Sequence, residues 1–212
     1  QIINNRFTRL GKFYGANAAA IYIPNGNLIE RNYFTPYDCQ NGRFIGSGTT
    51  MREDVDPRAT GGIQRFNVME RGFITTRTSA GPSIIYNNII YGDSGSVHSS
   101  GIMTAHNDEV YNNTLYDRRI WIAYGSAVVK NNIIFNGNQA SIIADPGTSA
   151  TYANNLCGIA GTGCNVVGNP NFVNAASNDF HLQTGSPAID AGVTLGVPYD
   201  KDFDGVSRPQ GT

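Results

Sequence analysis

His106, Arg77 and Lys130 are the residues of this chain whose types suit bond-making chemistry. An imidazole or amine can act as a general base, and a nearby cation can hold a carboxylate as charge develops. Lining up the apolar strands around them sets Arg77, His106, Tyr124 and Asp145 in one column. Lys130 falls on the next strand, beside Tyr86 and Tyr111. The other reading is that these side chains merely edge turns. Near the C-terminus, Asp200, Asp202 and Asp204 stand at every second position before Gly205, a spacing at which carboxylates can converge on one hard cation. Calcium is therefore the ion to look for, although the twelfth position of such a loop is Gly211 rather than Glu, and a plain turn explains the phrase too. No cofactor is otherwise required. Cys157 and Cys164 flank a Gly-rich stretch and can meet as a disulfide; two small buried thiols are the alternative. Cys39 has no obvious partner.

The elements that position these residues follow from a phrase repeated along the chain. It reads Ile-Ile-Tyr-Asn-Asn-Ile-Ile-Tyr at 84–91, Val-Tyr-Asn-Asn-Thr-Leu-Tyr at 110–116, Val-Val-Lys-Asn-Asn-Ile-Ile-Phe at 128–135 and Thr-Tyr-Ala-Asn-Asn-Leu-Cys at 151–157. The second Asn falls at 88, 113, 132 and 155, at intervals of 25, 19 and 23 residues. A period near 20–25 with strand-like halves marks a solenoid. Asn tolerates the left-handed backbone region, so it turns the chain. Its amide also donates and accepts, so stacked copies can bond to one another. Weaker copies at residues 2–7, 28–34 and 63–69 bring the total to seven coils. Asn32, Asn67, Asn88, Asn113, Asn132 and Asn155 are the predicted ladder. The pattern Asn112-Asn113-Thr114 is a glycosylation signature, read here as part of the ladder. A third strand per coil is predicted at 19–24, 72–77, 101–106, 119–124 and 140–145. The expected fold is all-β, a right-handed parallel β-helix over residues 1–165. Residues 48–62 read as a side loop, and 166–212 as an irregular C-terminal tail packed on the helix.

Composition narrows the partners. The net charge is −1 and the three Lys and twelve Arg are scattered, so nucleic acid is not an expected partner. No apolar run reaches transmembrane length, so membrane insertion is not expected. A chain beginning with Gln1 reads as processed, or as a piece of something longer.

The tail carries the most specific phrases: Asn-Pro-Asn-Phe-Val-Asn at 169–174, Asp-Phe-His-Leu at 179–182, Gly-Ser-Pro-Ala-Ile-Asp-Ala-Gly at 185–192 and Asp-Phe-Asp-Gly-Val-Ser-Arg-Pro-Gln-Gly at 202–211. With the Asn-Asn coils, these resemble secreted bacterial β-helix proteins of the pectate-lyase-like superfamily. The resemblance covers nearly the whole chain. It implies the fold and an extracellular or cell-surface location. It implies little about chemistry, because that superfamily mixes lyases, hydrolases, epimerases and non-enzymes. In its lyases the substrate groove lies on the third strand of each coil. His106, Arg77 and Lys130 would then serve an acidic polysaccharide. Ala105-His106-Asn107-Asp108 is similar to the Asp-Pro-His-Asp phrase of mannuronan epimerases, without its first Asp and its Pro.

Against a groove stands the apolar character of both faces of the third strands. Ile21, Ile74, Met103, Trp121 and Ile142 form one predicted stripe, and a contiguous apolar stripe usually marks an interface. Trp121 can also stack on a sugar. Two functions are therefore expected. The first is an extracellular structural subunit that self-associates through this stripe and through open coil ends, extending into a filament. The second is a carbohydrate-active or glycan-binding protein, or a fragment of one.

Overall fold

The computed structural model describes residues 1–10, 21–23, 28–36, 50–53, 61–76, 82–92, 100–135 and 139–209. Three sheets of parallel strands run the length of the molecule. The first sheet stacks Ile2–Ile3, Leu28–Glu30, Ile63–Arg65, Ile84–Tyr86, Asp108–Tyr111, Ser126–Lys130 and Ser149–Ala153. The second stacks Arg6–Leu10, Tyr33–Pro36, Val68–Glu70, Ile89–Tyr91, Thr114–Tyr116, Ile133–Phe135, Leu156–Cys157 and Val166–Val167. The third stacks Ile21–Ile23, Thr50–Glu53, Phe73–Thr75, Ser100–Thr104, Arg119–Ile122 and Ile142–Ala144. Each successive coil lays one strand on each sheet, which is the expected parallel β-helix. The asparagine phrase marks the corner between the first and second sheets.

One residue per strand drives the packing. The inward column of the second sheet is Phe34, Met69, Ile90, Leu115, Ile134 and Cys157, all inaccessible to solvent. Ile29, Ile85, Val110 and Val129 do the same on the first sheet, with Gln64 between Ile29 and Ile85. Ile74, Ile102, Ile120 and Ile142 complete the core from the third. Burying each of these side chains contributes about 1.5–3 kcal/mol.

Two expectations are corrected here. The stretch 48–62 is not a side loop throughout, because Thr50–Glu53 is a strand of the third sheet. Its Thr-Met-Arg-Glu sequence lacks apolar alternation, but Met51 pairs in backbone register with Ile21 and Ile74. The predicted apolar stripe also splits. Met103 and Trp121 are in register with Thr75 and Ile143, whereas Ile74 and Ile142 belong to the buried column. Ile21 is in backbone register with Ile74 through Met51. The strands pair one residue out of step with an alignment on their first residues, Ile102 with Ile74 and Ile120 with Ile142. An offset of one residue exchanges the two faces of a strand; a bulge also sits at Gly101, where the register against Arg119–Ile122 slips between Ser100 and Ile102. Only glycine fits there, since an added Cβ would sit 2.9 Å from Leu115 Cδ2 and 3.0 Å from Arg118 Cβ.

The tail begins at the rod end, where Val166–Val167 adds the last strand of the second sheet, and then descends along the side of the coils. Phe172–Asn174 and Asp179–Leu182 form an antiparallel pair against the second sheet, where Phe180 packs on Tyr91 and Tyr116. Leu195, Tyr199 and Phe203 then cover Phe66, Tyr86 and Tyr111 on the outer face of the first sheet.

Candidate functional site

The asparagine corner divides its two residues between two tasks. The second Asn of each pair points inward and builds the ladder. The backbone N–H groups of Asn5, Asn32, Asn67, Asn88, Asn113 and Asn132 each donate to the side-chain Oδ1 of the next rung at 2.9–3.0 Å. The Nδ2 groups donate to the same oxygens at 2.9–3.2 Å. All six predicted ladder residues are buried. The run ends at Asn165, whose Oδ1 accepts from Asn155 N at 3.3 Å.

The first Asn holds the left-handed conformation, with φ of 53°, 54°, 58° and 50° at Asn87, Asn112, Asn131 and Asn154. That turn aims the side chain outward, at the tail. Asn154 donates to Ala191 O (2.6 Å), Asn131 to Val193 O (2.8 Å), Asn112 to Tyr199 O (3.2 Å) and Asn87 to Lys201 O (2.8 Å). Arg208 Nη1 returns to Asn87 Oδ1 at 2.9 Å. Four coils thus grip one descending strap. Sequence reasoning saw the pairs but not this second track. Its signal was the doubling itself, since a single Asn per coil suffices for the inner ladder. The grip occupies the Asn112 amide, so the glycosylation signature lies beneath the tail. A cleft of about 280 Å³ remains where the strap bows out over Asn131, Asn154 and Leu156.

The structure describes two of the three candidate catalytic residues. Arg77 lies outside the described residues. Lys130 does stand in register with Tyr111 and Tyr86, at the end of the first-sheet strands nearest the asparagine corner. His106 precedes the opposite end of those strands, where Asp108 pairs with Ala127. Three residues of extended strand separate those ends, about 10 Å by strand rise alone. The carboxylate beside His106 serves the fold. Asp108 is fully buried and accepts hydrogen bonds from the Thr76 hydroxyl, Ala105 N (2.9 Å), Ser83 N (3.0 Å) and His106 N (3.4 Å). Burial pushes its carboxyl above the usual carboxylate range, against those hydrogen bonds.

The three tail aspartates do not converge. Asp202 Oδ1 accepts from Asp204 N (3.0 Å) and Val206 N (2.7 Å), which makes it the lock of a turn. Asp204 Oδ2 faces His181 Nε2 at 3.1 Å. Among the described residues no group of three or more His, Cys, Asp or Glu side chains is placed to hold a metal. Cys157 and Cys164 form a disulfide with Cα atoms 5.5 Å apart. It closes the loop at the last rung, where Gly163 O accepts from Asn155 Nδ2 at 3.1 Å. Cys39 lies outside the described residues.

One outer face remains. On the third sheet, Met103, Trp121 and Ile143 form a partly buried apolar row. Arg119 begins the Trp121 strand and donates to Gln139 at 2.6 Å. Tyr124, 60% exposed, follows it at the far edge. None of the described tail segments pairs with this sheet. On the first sheet, by contrast, the tail desolvates Tyr111 and Tyr199. Burial, reinforced by the negative charge of Glu109, raises both phenols to about 12. No family model, no curated protein and no solved structure matches the chain, so its architecture rests on the strand register and the ladder described above.

Proposed function

We propose that this chain is a structural β-helix module of the cell exterior that self-associates sideways through the outer face of its third sheet. The observation that carries this reading is the division of the three faces. The tail packs aromatic side chains onto the first and second sheets, while the third carries Met103, Trp121 and Ile143 outward. Apolar rows of this kind are characteristic of interfaces. Lateral contact is favoured over end-to-end stacking, because the disulfide loop and Asn165 finish the ladder at its C-terminal end. The disulfide and the tail phrases favour an exterior location of the kind found in the pectate-lyase-like superfamily.

Sedimentation over a range of concentrations tests this. Wild-type protein is expected to associate, and Trp121→Glu and Met103→Glu to disperse it while keeping the circular dichroism of the parent. Ile74→Glu, in the buried column, is expected to unfold the chain instead. A wild-type monomer at every concentration would overturn the proposal.

A second reading is favoured by one observation, the presence of Trp121, Arg119 and exposed Tyr124 on the same strand and its edge. Aromatic faces beside a guanidinium suit an acidic glycan. Binding of a uronate polymer that is lost in Tyr124→Ala and Trp121→Ala would shift the assignment to a glycan-binding module. Release of unsaturated products would make it a lyase.

A further inference from the structure

His181 is an unusual feature of the tail because both of its ring nitrogens face carboxylates. Nδ1 lies 2.5 Å from Asp179 Oδ1, two residues away on the same strand, and Nε2 lies 3.1 Å from Asp204 Oδ2, on the turn after Phe203. The two partners belong to different anchors of the strap. Phe180, beside His181, packs on Tyr91, Tyr116 and Phe172 over the second sheet. Phe203, beside Asp204, packs on Phe66 over the first. The imidazole therefore spans the place where the strap crosses from one face of the rod to the next.

We infer that His181 is a proton-operated clasp that fastens the 179–182 hairpin to the 202–206 turn when charged and releases it when neutral. The chemistry follows from donor counts. An imidazolium carries two N–H donors and satisfies both carboxylates, whereas a neutral imidazole carries one. On losing its proton the ring keeps one bond and turns a lone pair toward the other carboxylate. Among the described residues, Asp179 and Asp204 are the charges that act on the ring, while Glu70, in register with Tyr91, acts on that phenol. Phe172–Asn174 and the short helix Ala175–Ser177, which pack on its strand, carry no ionisable side chain. On the second-sheet side, Phe180 meets only the phenols of Tyr91 and Tyr116. On the turn, Asp202 is engaged with backbone N–H groups and Lys201 donates to Ser207 at 2.5 Å.

The pH window has a definite sign. The hydrogen bond to Asp179 raises the His181 pKa, with Asp204 adding to it, and the reciprocal bond lowers that of Asp179. The histidine contribution is fully present below its unfolded value near 6.5 and is lost as pH rises through the folded one. The Asp179 contribution is present above its unfolded value and is lost as pH falls through its own depressed one. The clasp is closed between those two limits, in mildly acidic solution, and opens toward alkaline pH. The pair is exposed, so the expected effect is modest, about a 1.5- to 5-fold change in local opening.

Hydrogen exchange of the intact chain, read by mass spectrometry on peptides covering 179–182 and 200–208 and corrected for intrinsic rates, tests the clasp. Protection of both peptides should fall between pH 5.5 and 8.5 in the wild type. In His181→Gln, whose amide donates through one nitrogen that does not titrate, it should be flat. Exchange in the core peptide 128–135 should not respond in either protein. A wild-type profile as flat as that of His181→Gln would overturn the inference. A pH response in both proteins would also overturn it, because the response would then arise elsewhere.

Discussion

Replacing Asn113 by alanine should cost this fold close to half of a typical domain's stability. The amide makes four side-chain bonds in a fully buried place. Its Oδ1 accepts from Asn88 N and Asn88 Nδ2, and its Nδ2 donates to Ile85 O and Asn132 Oδ1, all at 3.0 Å. Two of those partners keep other bonds. Asn88 Nδ2 still reaches Gln64 O and Tyr86 O, and Asn132 Oδ1 still accepts from Asn113 N. The other two, Asn88 N and Ile85 O, lose their side-chain partner inside the protein, at about 1–3 kcal/mol each. The sum is about 4 kcal/mol, against the 5–15 kcal/mol of an ordinary domain. Asn5→Ala is the internal comparison. That side chain is exposed and makes only two bonds, to Ile3 O and to Asn32 Oδ1, which keeps Asn5 N. Its loss should cost about 1 kcal/mol or less. Equilibrium urea unfolding of the oxidised protein measures both, with an unchanged denaturant slope required for the comparison. Equal losses for the two variants, within about 1 kcal/mol, would refute the idea that the inner ladder carries stability in proportion to its burial.

Three further outcomes follow from other parts of the rod. Cys157→Ser should destabilise the protein by about 2.5 kcal/mol, the chain-entropy value for so short a loop, and reductant should lower the melting temperature of the wild type but not of the variant. Asp108→Ala withdraws one acceptor from the Thr76 hydroxyl, Ala105 N and Ser83 N; a loss of about 3 kcal/mol is expected in urea unfolding. Tyr199→Ala removes the ring wedged edge-on between Tyr86 and Tyr111, at 4.9 and 5.1 Å. Proteolysis should then cut the tail first and leave the coils intact, and simultaneous loss of both would show that tail and coils unfold as one unit.

The fold was legible because its signal is local and repeated. Each coil states its corner in the Asn pair and its core in one apolar residue on either side. What escaped was register, since an offset of one residue in the pairing of the third-sheet strands separates Met103 and Trp121 from the column of Ile74 and Ile142. Strand Thr50–Glu53 escaped for a related reason: backbone pairing on both sides, with Ile21–Ile23 and Phe73–Thr75, seats a strand that looks polar alone. The spacing within the candidate catalytic group was not legible, because it is set by strand register. Lys130 and His106 are both adjacent to first-sheet strands, but at opposite ends of them. The disulfide was legible from its loop. The outer role of the first Asn was not, because its partners are backbone carbonyls of a segment some forty to a hundred residues away, and such partners leave no mark in residue type.

The strap also works as a gauge. Its grips at residues 191, 193, 199 and 201 meet coils whose outer asparagines are 154, 131, 112 and 87. Each step must match one coil rise, about 4.8 Å. A duplicated or deleted coil within that span changes the distance the strap must measure, so its carbonyls and the asparagines fall out of step. A coil added before Phe66 changes nothing the strap touches. Growth and shrinkage by whole turns are therefore tolerated on one side of Phe66 and policed on the other, and a single descending peptide sets the boundary between the variable and the fixed part of the rod.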